Sequence, residues 1–116
     1  SDEKQLNEYI KDIMGNRNPL ALGLFEDGRL IGIVLGYLKH WYSGTEYYIE
    51  EFCIDRQMQG QGMGTYFFQR IEGELKKRNI THIFLQTERT MPAYEFYKKT
   101  GFLELKDHVS FAERLL

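Results

Sequence analysis

Between residues 59 and 64 the chain reads Gln-Gly-Gln-Gly-Met-Gly, with a strand-like run before it and an amphipathic helical run after it. No other stretch restricts the fold as much. Glycine has no Cβ, so three glycines at alternate positions let the backbone turn tightly and approach a ligand closely. The first amides of a helix have no partner inside the helix and carry partial positive charge. A glycine turn that opens a helix is therefore a natural cradle for a pyrophosphate. Close packing at a strand–helix junction also calls for glycine, but three alternating ones exceed that need. The common nucleotide signatures do not fit. No Gly-Lys-Ser/Thr ends the turn. The spacing is G-x-G-x-G, with Thr65 standing where a dinucleotide fingerprint has its third glycine.

The pattern around the turn predicts a mixed α/β domain over residues 1–116. Residues 2–14 carry Leu6, Tyr9, Ile10 and Ile13 at helical spacing, with Gly15 as a stop. Strands are expected at 20–26 and about 30–39, joined by Asp27-Gly28 as a hairpin turn, and at 47–55 after a looser 40–46 segment. Gly32 and Gly36 suggest bulges or close backbone approach in the second strand. Phe67, Phe68, Ile71 and Leu75 make one stripe of a helix over roughly 65–79. A strand at 81–87, able to be buried on both faces, a helix at 92–100 opening on Pro92, and two strands around Asp107-His108 complete the order. Antiparallel strands followed by a strand–helix–strand–helix half imply a mixed, mostly antiparallel sheet flanked by helices.

Charge and cysteine content exclude several classes. A net charge of −2 lacks the basic face of a nucleic-acid binder. The one cysteine, Cys53, rules out an internal disulfide and any paired-cysteine metal motif, and makes a cytoplasmic setting the default. Without a histidine near it in the pattern, Cys53 reads as a small core residue rather than a nucleophile. His40, His82 and His108 show no metal-ligand spacing. No stretch is apolar enough for a membrane span, and the first residues do not form a signal peptide.

The glycine turn resembles the Q/R-x-x-G-x-G/A signature of the GNAT acetyltransferases, with Gln59, Gly62 and Gly64 at its defined positions. Residues 93–102 resemble a second segment of that family, A-x-x-F-Y-x-K-x-G-F, at the distance the family shows. Two motifs in order are far more specific than either alone, and the resemblance covers roughly residues 20–116. It implies a splayed mixed sheet with acetyl-CoA between two diverging strands. Cofactor contacts are implied at Phe52, Cys53 and Ile54 for the pantetheine arm and at Gln59, Gly60, Gln61, Gly62, Met63, Gly64 and Thr65 for the pyrophosphate. Thr90, Tyr94 and Tyr97 are implied as further contacts, Thr90 replacing an asparagine common in the family. The chain starts at what corresponds to the family's second helix, so the first strand and first helix are expected to be absent.

What the resemblance implies is acetyl transfer to an amine by direct attack in a ternary complex. Tyr97 matches the tyrosine proposed in the family to protonate the leaving thiolate, and a phenol of pKa near 10 suits that task. The run Tyr48-Ile49-Glu50-Glu51-Phe52 is similar to the acidic pair of polyamine acetyltransferases, with Glu50 as base and Glu51 as amine ligand. Neighbours on a strand point to opposite faces, so at least one of the two is expected to face the substrate. Trp41 and Tyr42 are candidates to line the acceptor pocket by cation–π contact. The acceptor expected is a small cationic amine of polyamine or aminoglycoside type. The alternatives are a protein N-terminal or lysine acetyltransferase, or an acyl-CoA-binding module without catalysis. Dimerisation is common in the resembling family, so a homodimer stays open as a partner state.

Overall fold

A computed structural model describes residues 2–116. They divide into two units, one ending at Gln86 and one beginning at Thr87. In the first unit the elements are α1 (Asp2–Met14), β1 (Pro19–Glu26), β2 (Arg29–Trp41), β3 (Gly44–Ile54), a 3-10 turn (Arg56–Met58), α2 (Met63–Lys77) and β4 (His82–Leu85). The second unit holds α3 (Pro92–Lys99).

The sheet order is β1-β2-β3-β4, antiparallel throughout except for the parallel β3–β4 pair. A parallel neighbour needs a crossover, and α2 supplies it. Asp27 and Gly28 both take positive φ, 51° and 79°, which gives the tight turn between β1 and β2. Residues 40–46, read from sequence as loose, form instead a second tight hairpin, in which Trp41 pairs with Gly44 across Tyr42 and Ser43.

α2 covers one face of the sheet with its predicted stripe. Phe67, Phe68, Ile71 and Leu75 are all buried, each worth about 2 kcal/mol in apolar transfer. Phe52 of β3 meets the rings of Phe67 and Phe68 at 5.5 and 4.9 Å. Opposite Phe52 on β2, Val34 is fully buried. Tyr47 is buried as well, and its hydroxyl donates to the Leu20 carbonyl at 2.8 Å. α1 packs on β1 and β2. Its apolar stripe is less engaged than its spacing suggests, since only Ile13 is buried while Leu6, Ile10 and Met14 remain exposed. β4 is a half-buried strand with His82 exposed, not one covered on both faces.

In the second unit, Pro92 opens α3 after an extended Met91, and Gly101 at φ 99° ends it. The two strands expected around Asp107-His108 do not form: no strand occurs in 102–116. Alternation supplies strand propensity, but a strand also requires a ladder. Here the amides of Lys106 and His108 go to local turns, bonding the Glu104 and Leu105 carbonyls at 3.1 Å each.

Candidate active site

β3 carries a bulge. Leu35 pairs with Glu51 but its neighbour Gly36 pairs with Ile49, so Glu50 has no counterpart on β2. Gly36 makes this geometry accessible, because a Cβ there would fall on the Tyr48 carbonyl oxygen. The bulge overturns the alternation expected of Glu50 and Glu51. Tyr37 pairs with Tyr48 and Leu35 with Glu51. Tyr37 and Leu35, two apart on β2, share a face, so Tyr48 and Glu51 share it too. Ile49 pairs with Gly36, on the Val34 face that α2 covers, so Glu50 next to it points to the other side, near enough to act electrostatically on Tyr9, Tyr37 and Tyr48. Both carboxylates thus gather on the face opposite α2.

That face is aromatic and acidic. The Tyr37 and Tyr48 rings lie 5.2 Å apart, and Tyr48 stacks on Phe84 of β4 at 5.6 Å. The Tyr48 hydroxyl donates to Gln86 Oε1 at 2.8 Å. From α1, the Tyr9 hydroxyl donates to Glu51 Oε1 at 2.6 Å. This bond, with burial and the nearby charges of Glu51 and Glu50, pushes the Tyr9 phenol up to about 12. Burial first, and then Glu50 and Glu46, also raise Tyr37 and Tyr48. Such a face suits an organic cation, which gains from carboxylates and ring faces together.

Beside the bulge the sheet opens. β4 pairs with β3 only from Glu46 to Ile49. Residues 51–54 continue paired to β2 alone, and the chain then enters the glycine turn. Asp55 anchors that entry: its Oδ1 accepts the Gln57 amide at 2.9 Å, and its Oδ2 accepts from Arg29 at 2.6 Å. Gln59 Nε2 reaches back to the Ile54 carbonyl at 3.1 Å, and Gln61 Nε2 to the Gln57 carbonyl at 3.2 Å. Gly60 and Gly62 adopt φ 79° and 76°, and a Cβ on either would meet nothing within 4 Å. They are there for conformation, not for crowding, and the space beside them is open. No side chain caps α2, whose first intrahelical bond is Tyr66 N–H to Gly62 O at 3.1 Å. The amides of Met63, Gly64 and Thr65 precede that bond, so the turn fits a pyrophosphate.

The other predicted residues are placed as follows. Cys53 is exposed, not part of the core. Trp41 and Tyr42 sit at the hairpin tip, where Trp41 pairs with Gly44, six residues before Glu50 and so about 20 Å away along the strand. Trp41 is covered by its own Lys39, whose Nζ lies 4.3 Å from the ring centre, and Tyr42 is fully exposed. The structure does not bring these two to the carboxylates. Within the second unit, Tyr97 makes edge contacts with Phe96 and Phe102, each at 5.4 Å. The Tyr94 hydroxyl donates to Glu104 at 2.6 Å, and Arg89 pairs with the same carboxylate at 2.7 Å. Thr90 is exposed in the turn before α3. Sequence reasoning missed Tyr9, Tyr37 and Tyr48. Tyr48 stood in view two positions before Glu50, but nothing local could tie it to Tyr37 or Tyr9.

The family model for the GNAT acetyltransferases matches residues 1–102. The chain belongs to the GNAT acetyltransferase family. Solved GNAT-type structures share the fold. An aminoglycoside acetyltransferase from an uncultured soil metagenomic sample, solved with sisomicin, superposes with a TM-score of 0.74 at 18% identity. The match covers 94% of this chain and 74% of that one. A ribosomal-protein-alanine N-acetyltransferase from Brucella melitensis biovar Abortus 2308 gives 0.72 at 18% identity, covering 92% and 77%. A Pyrococcus furiosus protein assigned as an acetyl transferase gives 0.79 at 20%, covering 98% and 76%. A search of curated proteins returned no significant match. The GNAT fold is thus shared with acetyltransferases of unlike acceptors. Among the described residues no helix is long and apolar enough to cross a membrane, and no cluster of three metal-ligating side chains occurs.

Proposed function

We propose that this GNAT protein is an acetyl-CoA-dependent N-acetyltransferase whose acceptor is a small cationic amine. The observation that carries the proposal is the gathering of Glu50 and Glu51 with Tyr37 and Tyr48 on one face, beside the point where β3 and β4 part. Acetyl-CoA supplies, when bound, an acetyl group activated as a thioester. The amides of the Gln59–Thr65 turn would hold its pyrophosphate, and the main chain of Phe52, Cys53 and Ile54 its pantetheine arm. Thr90 and Tyr94 would add further contacts.

In this reading Glu51 binds the ammonium ion and Glu50 removes its proton, directly or through a water, so that the amine is neutral when it attacks. The Tyr97 hydroxyl would serve as the acid, supplying the proton that a thiolate leaving group needs. No acyl-enzyme forms. Residues 1–116 act as one catalytic domain, and the lone cysteine supports a cytoplasmic setting.

Thermal unfolding with acetyl-CoA, CoA, NAD and ATP tests the proposal first. A ligand at 100 times its Kd stabilises by about 2.7 kcal/mol, a shift of several degrees in a domain of this size. Stabilisation by acetyl-CoA and CoA alone, followed by turnover of cationic amines, is the expected result. Stabilisation without turnover of any amine would make the protein an acyl-CoA-binding module. No stabilisation by either would sink the acetyltransferase reading.

A further inference from the structure

The bond from Tyr9 to Glu51 spans 42 residues of sequence, and it comes from a helix whose buried side chain is Ile13. It is short, as a hydroxyl bound to an ionised carboxylate is. It also occupies only Oε1. A carboxylate has two oxygens and about four lone-pair sites, so Glu51 keeps most of its accepting capacity.

We propose that Tyr9 is a positioning residue for amine binding: its phenol orients the Glu51 carboxylate toward the ammonium group while leaving the negative charge intact. This rests on Glu51 being the amine ligand. The chemistry of the donor is what matters. Lysine or arginine in place of Tyr9 would orient Glu51 equally well but would cancel the charge that attracts the substrate. A neutral O–H donor fixes the geometry without that cancellation. The surroundings agree. Glu50 and Cys53 both act electrostatically on the same hydroxyl, so it sits among acidic and polar neighbours. Tyr9, pushed up to about 12, stays protonated, and so a donor, at neutral pH. α1 thereby adds a third tyrosine to the wall that β2 and β3 begin with Tyr37 and Tyr48.

The test is steady-state kinetics on the full chain, with acetyl-CoA and two probe amines, spermidine and sisomicin. Tyr9→Phe is expected to raise the KM for the amine about tenfold, leaving kcat and the KM for acetyl-CoA unchanged. Tyr9→Lys should raise the amine KM at least as far. The Tyr9→Phe/Glu51→Gln double variant should be no worse than Glu51→Gln alone, because Tyr9 acts only through Glu51. An unchanged amine KM in Tyr9→Phe, or additive effects in the double variant, would overturn the role of Tyr9 while Glu51→Gln still raises the KM. If Glu51→Gln has no effect, or the wild type acetylates neither probe, the assignment of Glu51 as amine ligand falls and this inference falls with it. Unfolding midpoints of the variants separate either outcome from loss of fold.

Discussion

Tyr48 and Glu51 stand three residues apart on β3 and face the same side of the sheet, because Glu50 between them has no partner on β2. Regular alternation would have sent them to opposite faces. The bulge turns one acidic dipeptide into a two-carboxylate site walled by tyrosines.

Gly36 is the residue that permits this. Gly36→Ala would drive a methyl group into the Tyr48 carbonyl and against the Tyr47 ring at 3.0 Å. A loss of at least about 2 kcal/mol is expected, seen as a lower unfolding midpoint. Gly60→Ala meets nothing within 4 Å and bears only the strain of φ 79°, about 1 kcal/mol. It should nonetheless weaken CoA binding in a titration. Equal stability losses at the two sites would contradict the geometry.

The two carboxylates should separate kinetically. Glu50→Gln is expected to lower kcat by about 100-fold or more, as removal of a general base does. Glu51→Gln should raise the amine KM with less effect on kcat. Tyr97→Phe should lower kcat alone. Unchanged turnover in both Glu50→Gln and Tyr97→Phe would leave the chemistry without its proposed acid and base.

Alkaline pH should destabilise the fold. Tyr9 is raised from 10.0 to about 12 by its bond to Glu51, and Tyr47 is raised by burial. A folded-state pKa above the unfolded one means that the folded state holds its proton longer. Stability is therefore complete below pH 10 and is lost as pH rises toward and past 12. Urea unfolding at pH 8, 10 and 11 should show the decline, and Tyr9→Phe should flatten it. A flat profile in the wild type would argue against the Tyr9–Glu51 bond.

Asp55 predicts the acid side and the cofactor turn together. Its carboxyl is held below the usual range by the Gln57 amide first and then, against the opposing effect of burial, by Arg29. The stabilisation is present at neutral pH and lost as pH falls through the depressed pKa. Asp55→Asn should loosen the entry to the glycine turn. A CoA affinity reduced several-fold, with amine KM unchanged, is the expected outcome of calorimetric titration.

Cys53 should prove dispensable as a nucleophile. Partial desolvation of this exposed residue, and then the charge of Glu51, push its thiol up, so little thiolate exists at neutral pH. Cys53→Ala should keep most of the wild-type kcat, and a thiol-specific reagent should react slowly at pH 7. Loss of activity in Cys53→Ala would point to covalent catalysis instead.

Local physics made much of this protein legible in its sequence. The α2 stripe of Phe67, Phe68, Ile71 and Leu75, the Asp27-Gly28 turn and the glycine turn before α2 depend on residues within a few positions of one another, so periodicity and φ preference reveal them. The same holds for α3 between Pro92 and Gly101. The tertiary structure alone decided the rest. The bulge at Glu50 is a property of the register between two strands, and the tyrosine wall joins residues 9, 37 and 48 across α1, β2 and β3. The C-terminal alternation failed as strand because propensity without a ladder partner does not hold an extended backbone. Side-chain chemistry can be read along a chain, but which groups meet depends on long-range pairing, and no local pattern encodes the register that brings them together.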